Sequence, residues 1–455
     1  MNKKKIQKIY NDLKKSASRP TSIKKFPFSY QSKLLDYKSH LRDFSSDQFN
    51  LLNAMFNELA VSESIHALIE GDHVNLSEGK PALHHKYRES FPEPEFDFKK
   101  ICKPFLKNIK SNQYKNIVTF GIGGSYEGPK LLQELMFDTS SKTNYAFVSG
   151  PDKDEFNSLV KPILGQNNLY IFASKSLSTA ETLTCMKWLG SNRTKKNSIV
   201  ITSNVGAAES LGFSHESILS FPESVGGRYS IWSPISLTSS IENNFMSFLR
   251  GGEQADQLLT GTSSAATKYQ KFIKTLAFSD IWFNNFRNKR NRVVLSYNWR
   301  LRSLMSYIQQ LEMESLGKPI NKLSIFEQTG QTIFGGFGST AQHSYFQMLN
   351  QGTSACSADI IYSPSNKSPL SAAQAQAQSV LLSTDQKKSI DSLEVTNGNI
   401  PVNLFILNEL SLKGLGFLLA SWEHRVFITA SMLQINPFDQ FGVTAGKKAA
   451  NKFLK

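Results

Sequence analysis

Two hydroxyl- and glycine-rich stretches and one acidic pair carry most of the chemistry this sequence offers. The first stretch, GIGGSYEGPK (residues 121–130), follows the apolar run Asn116–Phe120 and leads into apolar sequence from Leu131. A strand, a tight turn and a helix in that order leave backbone N–H groups free at the turn, where they and the helix dipole can hold an anion. A dinucleotide fold would want G-x-G-x-x-G and an acid about 20 residues further on. Gly121 and Gly123 fit and Asp152 could be the acid, but Tyr126 stands where the third glycine belongs. A nicotinamide cofactor is therefore only weakly supported. A turn that merely packs helix on strand stays open.

The second stretch, SKSLSTAETLT (174–184), puts Ser174, Lys175, Ser176, Ser178 and Thr179 around Leu177: four hydroxyls and an ammonium in six residues. One or two such groups would simply cap a helix. Five of them beside orphan amides suit a dianionic phosphate monoester better. In IQQLEMESLGK (308–318), Leu304, Ile308 and Leu311 mark an apolar helix face. Gln310 and Glu314, four apart, share another face and can contact one ligand together, with Gly317 as a helix stop. A carboxylate there suits a base that takes a proton and returns it. By spacing alone, an exposed structural glutamate is the better reading.

These residues need a scaffold. Strand-length apolar runs at Asn116–Phe120, Tyr145–Ser149, Leu169–Ser174 and Ser198–Ser203 alternate with helix-compatible sequence, and a second series follows at Val293–Tyr297, Ile360–Tyr362 and Leu404–Leu407. The alternation predicts an α/β protein with mostly parallel sheets flanked by helices. Residues 1–100 show helical periodicity and no good strand, and read as a helical N-terminal segment. The expected division continues with α/β domains at 101–270 and 271–425 and a C-terminal helical segment at 426–455.

Bulk composition narrows the field. The 455 residues suffice for two or three domains, and 40% hydrophobic content fits globular folding. No apolar run approaches the roughly 18 residues of a membrane span. Met1–Lys15 is lysine-rich without an apolar core behind it, so no signal peptide is expected. The net charge of +15 points to an anionic partner. Its lysines are spread along the chain, with no arginine-rich or aromatic-interleaved stretch, which ranks a small anion above nucleic acid. Cys102, Cys185 and Cys356 are scattered and odd in number, and read as reduced thiols of a cytosolic protein, not metal ligands.

With both turns in view, the sequence resembles the phosphoglucose isomerase family, built on sugar-isomerase domains. VGGRYSIWSPISL (225–237) is similar to one family signature, with Pro234 and Ser236 where alanine and glycine are usual. INPFDQFGVTAGK (435–447) is similar to the C-terminal signature, with a departure at Thr444. MESLGK (313–318) matches a third motif except for Leu316, where asparagine is usual. GSTAQHSYFQMLNQGT (338–353) matches a fourth, and Gly336 nearby replaces a usual glutamate. The likeness runs from NLSEGKPALHHKYR (75–88) to Lys447.

The resemblance implies aldose–ketose isomerisation of glucose 6-phosphate and fructose 6-phosphate through an enediol, with neither metal nor organic cofactor. It implies Glu314 as the base and His343 as the ring opener, reaching a neighbouring subunit's site in a homodimer, with Glu181 as its orienting carboxylate. Lys447 would assist at the ring oxygen, although without the motif it reads as a solvated lysine. Arg228 would steady the enediolate, with Gly227 beside it letting backbone approach the sugar. Gly124, Ser125, Gln310 and Gln440 would contact the sugar phosphate. Ser174, Lys175, Ser176, Leu177, Ser178 and Thr179 would form the phosphate bend. A non-catalytic sugar-phosphate sensor on the same domains is the alternative. It should lack the base and the ring opener, whereas this chain keeps Glu314, His343, Lys447 and Arg228.

Overall fold

The computed structural model describes residues 2–18, 26–136, 140–322, 324–364, 368–384, 392–450 and 452–453, except the side chains at 195, 447 and 448. Its strands are β1 (Ser29–Gln31), β2 (Leu35–His40), β3 (Asn116–Phe120), β4 (Asn144–Val148), β5 (Asn168–Ala173), β6 (Ser198–Thr202) and β7 (Ile218–Ser220). The later ones are β8 (Asn291–Ser296), β9 (Thr332–Phe337), β10 (Cys356–Tyr362) and β11 (Val402–Leu407).

One sheet runs β4-β3-β5-β6-β7, every pair parallel. β3, β5 and β6 are buried along their whole length, which is why they read as continuous apolar runs and not as alternation. The strand order reverses between β3 and β5, and open α/β sheets bind ligands in the crevice at such a point. The two polar bends follow those two strands.

The other sheet runs β1-β2-β11-β10-β8-β9, parallel from β11 to β9. Its own reversal lies between β8 and β10, and there Asn298 and Ser363 bridge the two strand ends through hydrogen bonds of 3.1 and 2.7 Å. Its far edge corrects the expectation of no strand before residue 101: β2 pairs antiparallel with β11 from Leu35↔Leu407 to His40↔Val402. β2 lies just inside the short edge strand β1, and its half-exposed residues show little hydrophobic period. Its partner β11 lies more than 350 residues away, so nothing local announces that pairing.

The helix Leu412–Leu433 is almost wholly buried and packs on Phe245–Thr260, Ser264–Phe286 and Leu304–Leu316. Beneath Leu304–Leu316 lies a closed ionic cluster. Arg425 donates to Asp280 at 2.6 and 2.7 Å and to Asp359 at 2.8 Å, and Arg292 donates to Asp280 and Glu312. Trp422 Nε1 also donates to Glu312. Burial raises the Glu312 carboxyl above the usual carboxylate range, against the pull of both arginines.

A second buried group surrounds Arg88, which pairs with Asp256 at 2.8 Å and Glu423 at 2.6 Å. Beside it, His85 Nε2 lies 3.1 Å from the carbonyl oxygen of Ile69, and burial presses its imidazole down to about 4. The unfolded chain takes up that proton near the ordinary 6.5, whereas the fold refuses it until about 4. His85 thus contributes stability that is complete above pH 6.5 and lost as pH falls toward 4. His85→Gln, which keeps a donor for Ile69, is expected to flatten the fall in unfolding free energy over that window by about 3 kcal/mol relative to wild type. Urea titrations at stepped pH check this. Identical pH slopes in the two proteins would remove the assignment.

Candidate active site

The first bend leaves β3 and turns at Gly123, whose φ of +58° suits glycine, into the helix Gly124–Leu135. A Cβ at Gly124 would collide with the carbonyl oxygen of Gly227, so only glycine lets the two backbones meet here. The second bend leaves β5. Its Lys175 carbonyl accepts from Ser203 N at 2.9 Å, Thr202 Oγ1 at 2.9 Å and Ser203 Oγ at 2.8 Å, which ties the bend to the end of β6. Ser174 Oγ lies 3.0 Å from Thr179 Oγ1, which opens the helix Ala180–Leu189. Leu177 takes a φ of +49° that turns its side chain into the apolar core, and Ser178 Oγ lies 2.7 Å from Ser176 Oγ. The structure does not bring the side chains of Leu177 and Ser178 into the cavity.

That cavity, about 760 Å³, is walled by Gly124 and Ser125 on one side and Ser174, Lys175, Ser176, Thr179 and Glu181 on another. Gly227, Arg228, Gln310, Glu314 and Gln440 close it. It adjoins a second space of about 880 Å³, and Gln310, Glu314 and Gln440 line both. Burial holds the Lys175 ammonium below the ordinary lysine value, opposed by the carboxylates of Glu223 and Glu78. A partly dehydrated cation at a hydroxyl-lined bend is ready to exchange its remaining water for a phosphate. Lys175→Ala is expected to raise KM for a sugar phosphate about tenfold or more with kcat changed less, as steady-state kinetics would read. An unaltered KM would remove Lys175 from phosphate binding.

Arg228, 2% exposed, sits in the 3-10 turn Gly227–Trp232 with every guanidinium donor engaged. Nε donates to Ser315 Oγ at 2.7 Å, and Nη1 to Gln440 Oε1 at 2.9 Å and Glu314 Oε2 at 3.4 Å. Nη2 donates to the carbonyl oxygens of Pro437 and, at 3.0 Å, Asp439. The two Nη1 partners line the cavity, so that nitrogen is the one able to trade a contact for a ligand oxygen. Glu314 lies near the end of the helix Leu304–Leu316, its side chain 31% exposed, with Gln310 Nε2 3.4 Å away as the four-residue spacing predicts. Carboxylate and guanidinium therefore meet at the wall of a cavity that the hydroxyl-rich bend also lines.

The structure does not bring His343 to this wall. It is exposed in the turn between Gly338–Ala341 and Phe346–Gln351, and no histidine lines either space among the described residues. Lys447 belongs to the helix Gly442–Ala450, but its side chain lies outside the described residues. Sequence reasoning missed Ser315 and the struts of the segment that holds Arg228. Asn436 Nδ2 donates to Asn75 Oδ1 at 2.8 Å, Ser77 Oγ to Asp439 Oδ2 at 2.7 Å, and Lys318 Nζ to Asp439 Oδ1 at 2.8 Å. All of these lie inside the quoted motifs, which was the available signal. Leu316, where asparagine is usual, is 4% exposed and packs in the core.

The phosphoglucose isomerase profile matches residues 36–455. The chain belongs to that family. It is 31% identical to a glucose-6-phosphate isomerase of Shewanella sp. (strain ANA-3), over 96% of this chain and 90% of that one. It is 30% identical to one of Pseudomonas fluorescens (strain Pf0-1), over 94% and 87%. The crystal structure of a glucose-6-phosphate isomerase from Chlamydia trachomatis superposes with a TM-score of 0.84 at 22% identity, covering 98% of this chain and 95% of the other. That likeness establishes the two-sheet architecture.

Proposed function

We infer that this chain interconverts glucose 6-phosphate and fructose 6-phosphate. The observation that carries the reading is one cavity, at the strand-order reversal of the first sheet, with a carboxylate paired to a buried guanidinium at one wall and a serine–lysine–threonine bend at another.

In this reading Ser174, Lys175, Ser176 and Thr179 grip the phosphate while Ser125 and Gln440 orient the sugar. Once the ring is open, Glu314 takes the C2 proton of the aldose and the electron pair of that C–H bond moves into an enediolate. Arg228 balances the charge on oxygen. A proton passes from the C2 hydroxyl to O1, and the same carboxyl then delivers its proton to C1 as the electron pair on O2 closes the C2 carbonyl, leaving the ketose. A ring opener must give a proton at one ring-chain oxygen and take one at another, and imidazole near neutral pH does both. The reading assigns that task to His343 of a second copy in a homodimer, held by Glu181, with Lys447 assisting. The absence of a histidine from the described lining of the chain's own cavity supports that arrangement. Among the described residues no helix is long and apolar enough to cross a membrane, and the proposed setting is cytoplasmic sugar metabolism.

The deciding experiment gives purified protein fructose 6-phosphate in the presence of EDTA and follows glucose 6-phosphate through a coupled dehydrogenase. Turnover is expected. Its absence would reject the activity.

A further inference from the structure

Ser315 stands between the two charged groups assigned to the chemistry, yet its side chain is 0% exposed and cannot reach a substrate. Its Oγ lies 2.7 Å from Arg228 Nε and 2.9 Å from Tyr229 Oη, and Oη lies 3.3 Å from the Pro437 carbonyl oxygen. An arginine nitrogen only donates and a carbonyl oxygen only accepts. All three bonds form together in one direction alone: Arg228 Nε–H to Ser315 Oγ, Ser315 Oγ–H to Tyr229 Oη, Tyr229 Oη–H to the Pro437 carbonyl. A directed chain of this kind polarises each member and stiffens the group at its head, here the guanidinium.

The remaining contacts of Arg228 decide what that stiffness is for. Three of its donors reach the segment Pro437–Gln440, which is tied to the helix Leu304–Leu316 through Lys318, two residues beyond the helix end. Besides the 3.4 Å contact with Glu314 itself, Ser315 alone among the described contacts ties the guanidinium to the helix that carries the base. The last turn of that helix is gripped twice. Glu312 is held from below by Arg292 and Trp422, and Ser315 is held from the side by Arg228 and Tyr229. Glu314 lies between them in sequence and points to the cavity. A rotation of the turn that moved Glu314 would break both grips.

We propose that Ser315 is a positioning residue for the isomerisation: its hydroxyl sets the Arg228 guanidinium against the last turn of the base-bearing helix, so that carboxylate and cation face one point of the cavity. The proposal rests on the isomerase reading. Proton transfer is intolerant of misplacement, whereas the phosphate grip on the opposite wall does not involve this turn. The cost of losing the hydroxyl therefore falls on kcat.

The test is a double-mutant cycle with fructose 6-phosphate. Ser315→Ala is expected to lower kcat about 10- to 100-fold with KM within about threefold of wild type. In an Arg228→Lys background, where no Nε–H exists to be placed, the same change should cost less than about twofold more. If the alanine variant does not fold, Ser315→Cys, nearly isosteric and a poor acceptor, takes its place with the same two readouts. A kcat within twofold of wild type overturns the proposal. So does an equal loss in both backgrounds, which would mark a packing defect acting independently of Arg228. Wild-type protein without turnover would overturn the isomerase reading and this proposal together, whereas an active wild type with an unimpaired Ser315→Ala overturns the proposal alone.

Discussion

Glu314→Gln is expected to lower kcat for fructose 6-phosphate by about 10²- to 10⁴-fold while phosphosugar binding stays within a few-fold of wild type. The amide has the size of the carboxylate and keeps an acceptor oxygen for Arg228 Nη1 and Gln310 Nε2, each 3.4 Å from Glu314 Oε2. The wall therefore keeps its shape. The amide oxygen has no useful basicity near neutral pH, so no group at that wall takes the proton between C1 and C2. The serine–lysine–threonine bend is untouched and, in the proposed reading, continues to hold the other end of the ligand. The coupled assay reads kcat, and calorimetry with fructose 6-phosphate itself reads binding, because the variant barely turns it over. Turnover within threefold of wild type would remove Glu314 as the base.

Arg228→Lys is expected to be nearly as damaging, by about 10²- to 10³-fold in kcat, although the formal charge is kept. The guanidinium serves five acceptors from a side chain 2% exposed. An ammonium has three donors and no planar fork, so at least two of the five acceptors lose their partner and the cation settles wherever the carbonyls of Pro437 and Asp439 pull hardest. Charge develops on the enediolate only during reaction, which places the loss in kcat more than in KM. The same change should lower Tm, since an ammonium lacks the planar fork that serves the buried Ser315 hydroxyl and the Pro437 and Asp439 carbonyls together. A variant with wild-type kcat and a lowered Tm would leave Arg228 a structural residue.

The strands that set out the cavity were legible because they are buried on both faces. Asn116–Phe120 coincides with β3, and the expected Leu169–Ser174 differs from β5 by one residue at each end. The helical pairing of Gln310 with Glu314 was equally legible, because four residues make about one turn. β2 was not: its residues alternate only loosely between core and solvent, and hydrogen bonds to β11 make it a strand. Leu177 shows a different limit. Its place among serines suggested a ligand contact, but a positive φ, invisible in composition, rotates its side chain into the core.

By itself the sequence determined the order of strand, bend and helix, the hydroxyl and ammonium content of the second bend, and the carboxylate one turn from a glutamine. Those are local properties, set by periodicity and residue chemistry over a dozen positions. Only the tertiary structure decided that both bends flank the reversal in strand order, that Arg228 spends its five donors on segments up to 212 residues away, and that Ser315 joins it to the helix that carries Glu314. The physical reason is range. A side chain's rotamer and backbone preference are written in its neighbours, whereas a buried hydrogen bond is chosen by whichever distant group the folded chain brings within 3 Å.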